Sequence, residues 1–109
     1  MSLCAAEPPA PAKAAAERAN EFAFDFLKRC HDDGTNFTFS PYSIRSAFSV
    51  LTPGAAGETL KELQKTLKFP EVDALAAEEL ALREALIASA NANRIDITAV
   101  NSLWVRKGL

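Results

Sequence analysis

His31, Asp32 and Ser40 are the residue types of a serine-hydrolase site, and they lie close together in the sequence. Such a site needs a scaffold that holds the serine, the histidine and the acid at hydrogen-bond distance. His31 is the only histidine and lies at the predicted end of a helix, where histidine usually caps the helix or faces solvent. We therefore predict that the chain is not an enzyme.

The sequence also lacks the patterns that bind metals or phosphates. Gly54 and Gly57 bracket a short loop, but the Lys-Ser/Thr pair that completes a phosphate-binding loop does not follow them. No group of histidines and cysteines has the spacing of a metal site. We predict neither a cofactor nor a metal.

The two cysteines, Cys4 and Cys30, are interpreted as free thiols rather than as a disulfide. Cys30, on an apolar helix face, is expected to be a small buried side chain, and Cys4 is expected to be an incidental thiol. If residues 1–3 were added for expression, Cys4 would instead be the first residue of a mature bacterial lipoprotein. No signal peptide is visible, but a removed signal would leave the same absence, so the compartment stays open.

Length and composition limit the chain to one soluble-type domain. A chain of 109 residues has room for one domain at most. Its apolar content of 49%, charged content of 24% and net charge of −2 give no reason to expect nucleic acid or an anionic membrane as partner. No apolar run is long enough to span a bilayer.

Hydrophobic periodicity predicts four helices behind a low-complexity leader. The Ala/Pro-rich leader, residues 1–17, is expected to be extended and flexible. Helices are predicted over residues 18–30, 42–51, 58–68 and 74–90, each with apolar residues at helical spacing or a helix-forming composition. The second helix follows Ser40, a preferred N-cap residue, and Pro41, which is tolerated at the first helical position. Ile44, Ala47, Phe48 and Leu51 share one face of this helix. Its one charged residue is Arg45, so we expect the helix to be buried on most sides.

Two segments predict strands. Residues 36–39 form a brief β-like run. From residue 95 onward, apolar residues alternate with others over about eleven positions, which is typical of a long strand. Its backbone groups need neighbouring strands, and no segment of adequate length is present, so the partners must come from elsewhere.

Three motifs, in this order and spacing, resemble the N-terminal region of the serpin family. Residues 39–44 read F-S-P-Y-S-I, and residues 54–59 read G-A-A-G-E-T. Residues 101–108 resemble the family's "ANxLFVxxG" strand, with Trp104 where phenylalanine is usual. The resemblance covers roughly residues 19–109, and the predicted elements follow the family's order throughout.

The resemblance implies an α+β fold. This chain would hold the N-terminal helices, one back-sheet strand at residues 36–39 and one long central-sheet strand at residues 95–107. That arrangement is incomplete without the rest of the serpin. Residues 18–109 would be the N-terminal part of the domain. The chain should then be one piece of a larger molecule: a cleaved chain, a truncated chain, or a part completed by a second polypeptide.

The resemblance also places a set of residues in the shutter region, where sheet strands slide over a buried helix: Asn36, Phe39, Ser40, Pro41, Ser43, Ile44 and Asn101. Small side chains there would let strands pass, and their polar groups could exchange hydrogen-bond partners. Plain capping and core packing are the structural alternative, and both roles can hold at once. Thr38 departs from the family pattern and creates a glycosylation sequon at Asn36. We predict that this sequon is unused, because Asn36 is expected to be buried.

Serpins inhibit serine and sometimes cysteine proteases by suicide: the protease cleaves a reactive loop, which then inserts into the central sheet. The implied partners are the remainder of the serpin polypeptide and a serine protease bound through a reactive loop absent from this chain. An extracellular location is favoured over a cytoplasmic one. We predict no heparin-type site on the fourth helix, because residues 71–93 hold one base, Arg83, and five acids. The acids are Glu71, Asp73, Glu78, Glu79 and Glu84.

Two alternatives stay open. One is a non-inhibitory serpin that acts as a carrier, chaperone or storage protein, which the hinge of the reactive loop would distinguish. The other is a small helical interaction module that folds alone, against which the long unpaired strand argues.

Overall fold

A computed structural model describes residues 7–108, and within them the regular secondary structure is entirely helical. The α-helices are α1 (Ala10–Cys30), α2 (Pro41–Leu51), α3 (Gly57–Leu67) and α4 (Val72–Ala92), with a 3-10 turn at Thr52–Gly54 after α2. The predicted α+β class is therefore wrong for the described residues. Residues 36–39 and 95–107 are not strands.

The absence of strands in this range follows from unpaired backbone groups. Residues 96–105 make no backbone–backbone hydrogen bond in the described part of the chain. A helix satisfies its backbone groups within one segment, whereas a strand needs a second one beside it. The alternating pattern of residues 95–105 thus does not by itself produce a strand.

Helix α1 begins at Ala10, well before the predicted start at residue 18. Pro11 lies in the first turn, where its missing N–H removes no intrahelical bond. Ala12 and Ala15 are buried, so residues 10–17 of the expected leader belong to the packed helix. Cys4 and the lipoprotein hypothesis attached to it lie outside the described residues.

The core lies where α1, α3 and α4 meet. Phe22, Leu67, Phe69 and Leu75 are buried together, and Phe26, Ile44 and Leu63 pack against them in part. Helix α1 packs mainly against α4 and also against α2 and α3. Among residues 7–108, no helix has both the length and the apolar character needed to cross a membrane.

The end of α3 turns the chain into this core. Lys68 takes the left-handed conformation with φ 55°, and the N–H of Phe69 donates to the carbonyl of Gln64 at 3.0 Å. This is a Schellman-type ending, in which a residue beyond the helix bonds back and packs on the last turn. Phe69 is thereby brought into the core cluster.

Candidate functional site

The start of α2 is fixed by Ser40. Its Oγ accepts a hydrogen bond from the N–H of Ser43 at 3.2 Å, and its carbonyl accepts from the N–H of Ile44 at 3.2 Å. Pro41 occupies the first turn. The sequence-predicted cap is confirmed, and it positions Ser43 on an exposed side of the helix and Ile44 against the core.

An aromatic cluster holds the segment that leads into this cap. The Phe26 ring of α1 lies 4.9 Å from the Phe39 ring and 6.2 Å from the Phe37 ring, measured between centroids. Phe37 and Phe39 lie 5.2 Å apart and nearly parallel. Ring pairs at such distances are favourable beyond their burial. Residues 37–39 are therefore held on α1 by side chains, without a sheet.

Asn101 returns to α2 from the C-terminal segment. Its Nδ2 donates to the hydroxyl of Ser46, although the two residues are far apart in sequence. The expected shutter residues Ser40 and Ser43 are not its partners. The structure therefore brings Phe39, Ser40, Pro41, Ser43 and Ile44 together at the start of α2, and it places Asn101 one turn further along.

Asn36 does not behave as expected. Its side chain is exposed, as are Phe37 and Thr38, so the predicted burial of the sequon is wrong for the described chain. The prediction that the sequon is unused therefore loses its stated reason. The shutter assignment of Asn36 remains a prediction.

The inner face of α2 is polar, which the sequence analysis missed. Arg45 has 1% of its surface exposed, and Thr52, just beyond the end of α2, is fully buried. Ala47, Phe48 and Leu51 of the predicted apolar face are exposed. The signal available in the sequence was the single charge in an otherwise uncharged helix. A lone arginine in such a helix must either reach solvent or find buried partners.

Arg45 has partners on three other helices. Its Nε donates to the carbonyl of Leu67 in α3 at 3.0 Å, and its Nη1 donates to the carbonyl of Ala15 in α1 at 2.9 Å. Its Nη2 lies 3.2 Å from Glu79 Oε1 of α4. The guanidinium carbon also lies 5.1 Å from the centre of the Phe69 ring, within cation–π range.

A second ion pair lies nearby and joins α1 to α4. Arg18 Nε is 3.3 Å from Glu78 Oε2, and the four paired atoms of Arg18, Glu78, Arg45 and Glu79 are buried without a well-directed hydrogen bond between them. Burial raises the pKa of Glu79, and the charge of Arg45 opposes that shift only in part. Burial likewise lowers the pKa of Arg45. Two acids of α4 thus face inward.

Other candidate groups do not assemble into a catalytic site. His31 Nε2 lies 3.0 Å from Asp33 Oδ1, and both side chains are exposed. In residues 7–108, no serine hydroxyl is hydrogen-bonded to the His31 ring. The same range holds no group of three or more His, Cys, Asp or Glu side chains that could hold a metal ion.

A family model described as "Serpin (serine protease inhibitor)" matches residues 17–109. An uncharacterized serpin-like protein of Thermococcus kodakarensis is 34% identical over 91 residues, covering 82% of this chain and 21% of the relative. An uncharacterized serpin-like protein of Methanosarcina acetivorans is 31% identical over 86 residues, covering 79% of this chain and 20% of the relative.

Serine protease inhibitor A3B of Mus musculus is 43% identical over 51 residues, covering 45% of this chain and 12% of that protein. The chain spans about a fifth of the length of these two serpin-like relatives. No solved structure gives a significant match.

Proposed function

Because the chain belongs to the serpin family, we propose that it is the N-terminal part of a serpin-type inhibitor of serine endopeptidases, itself without catalytic activity. The observation that carries this proposal is the family match over residues 17–109, supported by a relative named as a serine protease inhibitor. Cysteine endopeptidases are a second target class that the family resemblance allows.

Inhibition would proceed by suicide. The protease would cleave a reactive loop in the remainder of the polypeptide and be acylated by it. The loop would insert into the central sheet and distort the enzyme before deacylation. The role of this chain would be the shutter region: Asn36, Phe39, Ser40, Pro41, Ser43, Ile44 and Asn101.

Two observations support that role. Ser40, Ser43 and Ser46 put small side chains at the start of α2, and Asn101 already bonds to one of them, Ser46. A hydroxyl and an amide on an accessible surface can exchange partners at small cost, because solvent replaces each bond during the exchange.

Exposed apolar side chains support the remainder of the serpin polypeptide as the first partner. Phe48, Val50 and Leu51 are exposed on α2, and Trp104 is 90% exposed in the C-terminal segment. Apolar exposure of this extent usually marks an interaction surface. The α4 surface keeps Glu71, Asp73, Arg83 and Glu84 exposed, so the absence of a heparin-type site there remains our expectation.

The test uses material from the native source and a panel of serine endopeptidases. We expect a covalent adduct that survives denaturing electrophoresis, carries an epitope from residues 17–109 and contains one protease. A protease whose catalytic serine is replaced by alanine should give no adduct. An extracellular inhibitor should also be found in the medium or outside the membrane.

Cleavage of the loop without an adduct would instead indicate a non-inhibitory serpin, the carrier or chaperone alternative. A stand-alone helical module is the other candidate, and the core that α1, α3 and α4 share favours it. Native followed by denaturing mass spectrometry separates these cases. A larger polypeptide that travels with this chain until denaturation supports the inhibitor, whereas an 11.7 kDa monomer supports the module.

A further inference from the structure

Arg45 and Ser43 of the shutter region lie on opposite sides of α2. At about 100° per residue, Thr52 lies roughly 20° from Arg45 around the helix axis, whereas Ser43 and Ala47 lie roughly 160° away. Burial agrees with this geometry, because Arg45 and Thr52 are buried and Ser43 and Ala47 are exposed. Whatever fixes Arg45 therefore fixes which side of α2 faces outward.

Apolar packing alone does not set this orientation. Phe48, Val50 and Leu51 of α2 are all exposed. Ile44 is the apolar residue of α2 that packs against the core cluster. By hydrophobicity alone, the helix would place inward the face that carries Ala47, Phe48 and Leu51. The observed orientation instead buries the one charged residue.

We propose that Arg45 is a positioning residue that locks the rotation of α2, so that Ser43 of the shutter region faces outward. The function of the outward face rests on the proposed serpin role. The fixing of the α2 rotation by Arg45 does not depend on that role. Arginine suits this task, because its planar fork donates in fixed directions. Here Nε and Nη1 donate to the Leu67 and Ala15 carbonyls, and Nη2 forms an ion pair with Glu79, so the guanidinium joins three separate helices.

An ion pair that is buried in this way need not add stability. Replacing both partners by apolar residues of similar size is often neutral or stabilising, whereas removing one partner leaves an uncompensated buried charge. Stability and the rotation of α2 can therefore be separated. The double variant Arg45→Met with Glu79→Leu should remain folded yet lose the preferred rotation of α2.

The test measures thiol labelling in the 109-residue chain with Cys4 and Cys30 replaced by serine. One reporter is Ala47→Cys, on the exposed side, and the matched reporter is Thr52→Cys, on the buried side. With Arg45 present, a soluble maleimide should label the cysteine at position 47 about 100-fold faster than the cysteine at position 52, because labelling at position 52 requires local opening.

In the Arg45→Met/Glu79→Leu variant, we expect the unfolding equilibrium constant to stay within about tenfold of the parent and the labelling ratio to fall at least about tenfold. Arg45→Met alone should raise the unfolding constant by about 100-fold. A folded double variant with an unchanged labelling ratio would overturn the proposal, and so would an Arg45→Met chain as stable as the parent.

Arg45→Lys provides a second route if the double variant does not fold. Lysine keeps the charge but lacks the fork, so it cannot reach all three partners, and the labelling ratio should again fall. An unchanged ratio in this variant contradicts the lock. No protease enters these measurements, so they fail or succeed independently of inhibition.

Discussion

The four helices and the C-terminal segment, residues 95–108, both carry regular hydrophobic patterns, yet only the helices form regular structure. Each helix closes its hydrogen bonds within its own sequence, and three of them share a core. The C-terminal segment has no backbone partner for residues 96–105 within the described chain and leaves Ile97, Leu103 and Trp104 exposed. A hydrophobic pattern therefore does not produce regular structure unless the backbone groups also have hydrogen-bond partners.

Two proline substitutions, one in a helix and one in the C-terminal segment, should give the largest difference between the two regions. Leu86→Pro, in the interior of α4, should lower the free energy of unfolding by about 3 kcal/mol or more, because it removes an intrahelical bond and clashes with the preceding turn. Leu103→Pro should change it by less than about 0.5 kcal/mol. Both residues are exposed, so loss of core packing is not the main difference.

Urea unfolding followed by circular dichroism at 222 nm measures both variants. An equal loss in the two would mean that the C-terminal segment folds as part of the helical unit. That outcome would remove the contrast drawn between the two regions.

A second pair, on one helix, tests whether the shared core holds the helices together. Leu75 is 1% exposed in the core cluster and Leu80 is 52% exposed on the same helix. Leu75→Ala should cost about 3 kcal/mol of unfolding free energy through lost burial and a residual cavity. Leu80→Ala should cost under about 0.5 kcal/mol. Thermal unfolding of both variants checks this, and similar midpoints would argue against a cooperative core.

The helices were predictable because their signals are local. Helices α2, α3 and α4 occur within a few residues of their predicted bounds, and the Ser40 cap was read directly from its residue type. The start of α1 was missed, because the Ala run that follows the prolines continues the helix backward to Ala10. Local residue chemistry was therefore sufficient to predict that these helices exist and roughly where they begin and end.

The missed features all depend on distant partners. The burial of Arg45 depends on Ala15, Leu67 and Glu79, and no single window of sequence contains them together. The contact of Asn101 with Ser46 depends on the path of the C-terminal segment. The resemblance to serpins supplied residue names for the site, but its strands belong to an arrangement that the described residues do not form.

A smaller effect should separate the two serines at the start of α2. Ser40→Ala removes the acceptor for the N–H of Ser43 and should cost about 1 kcal/mol of unfolding free energy. Ser43→Ala, on the exposed side, should cost less than about 0.5 kcal/mol. Guanidinium unfolding of both variants gives the comparison. Equal costs would mean that the hydroxyl of Ser43 has a structural partner as important as the cap.

The smallest expected effect concerns the surface pair that joins α1 to the end of α3. Lys68 Nζ lies 2.9 Å from Asp25 Oδ2, and the hydrogen bond from Lys68, followed by its charge, lowers the pKa of Asp25 below its ordinary value of 3.8. The unfolded chain therefore binds the proton more tightly. The stability that the pair contributes is present above pH 3.8 and is lost as the pH falls through the folded-state pKa.

Lys68→Met should return the pKa of Asp25 towards its ordinary value, and Lys61→Met, which removes a lysine paired with Glu58 instead, should leave it unchanged. Carboxyl NMR titration of Asp25 measures the shift in each variant. For Glu79 the dependence of stability on pH has the opposite sign. Burial raises the pKa of Glu79, so its contribution to stability is lost as the pH rises above the ordinary pKa of glutamate. If Asp25 titrates identically in the parent and in Lys68→Met, the surface pair does not persist in solution, and the contact between α1 and the end of α3 rests on the core alone.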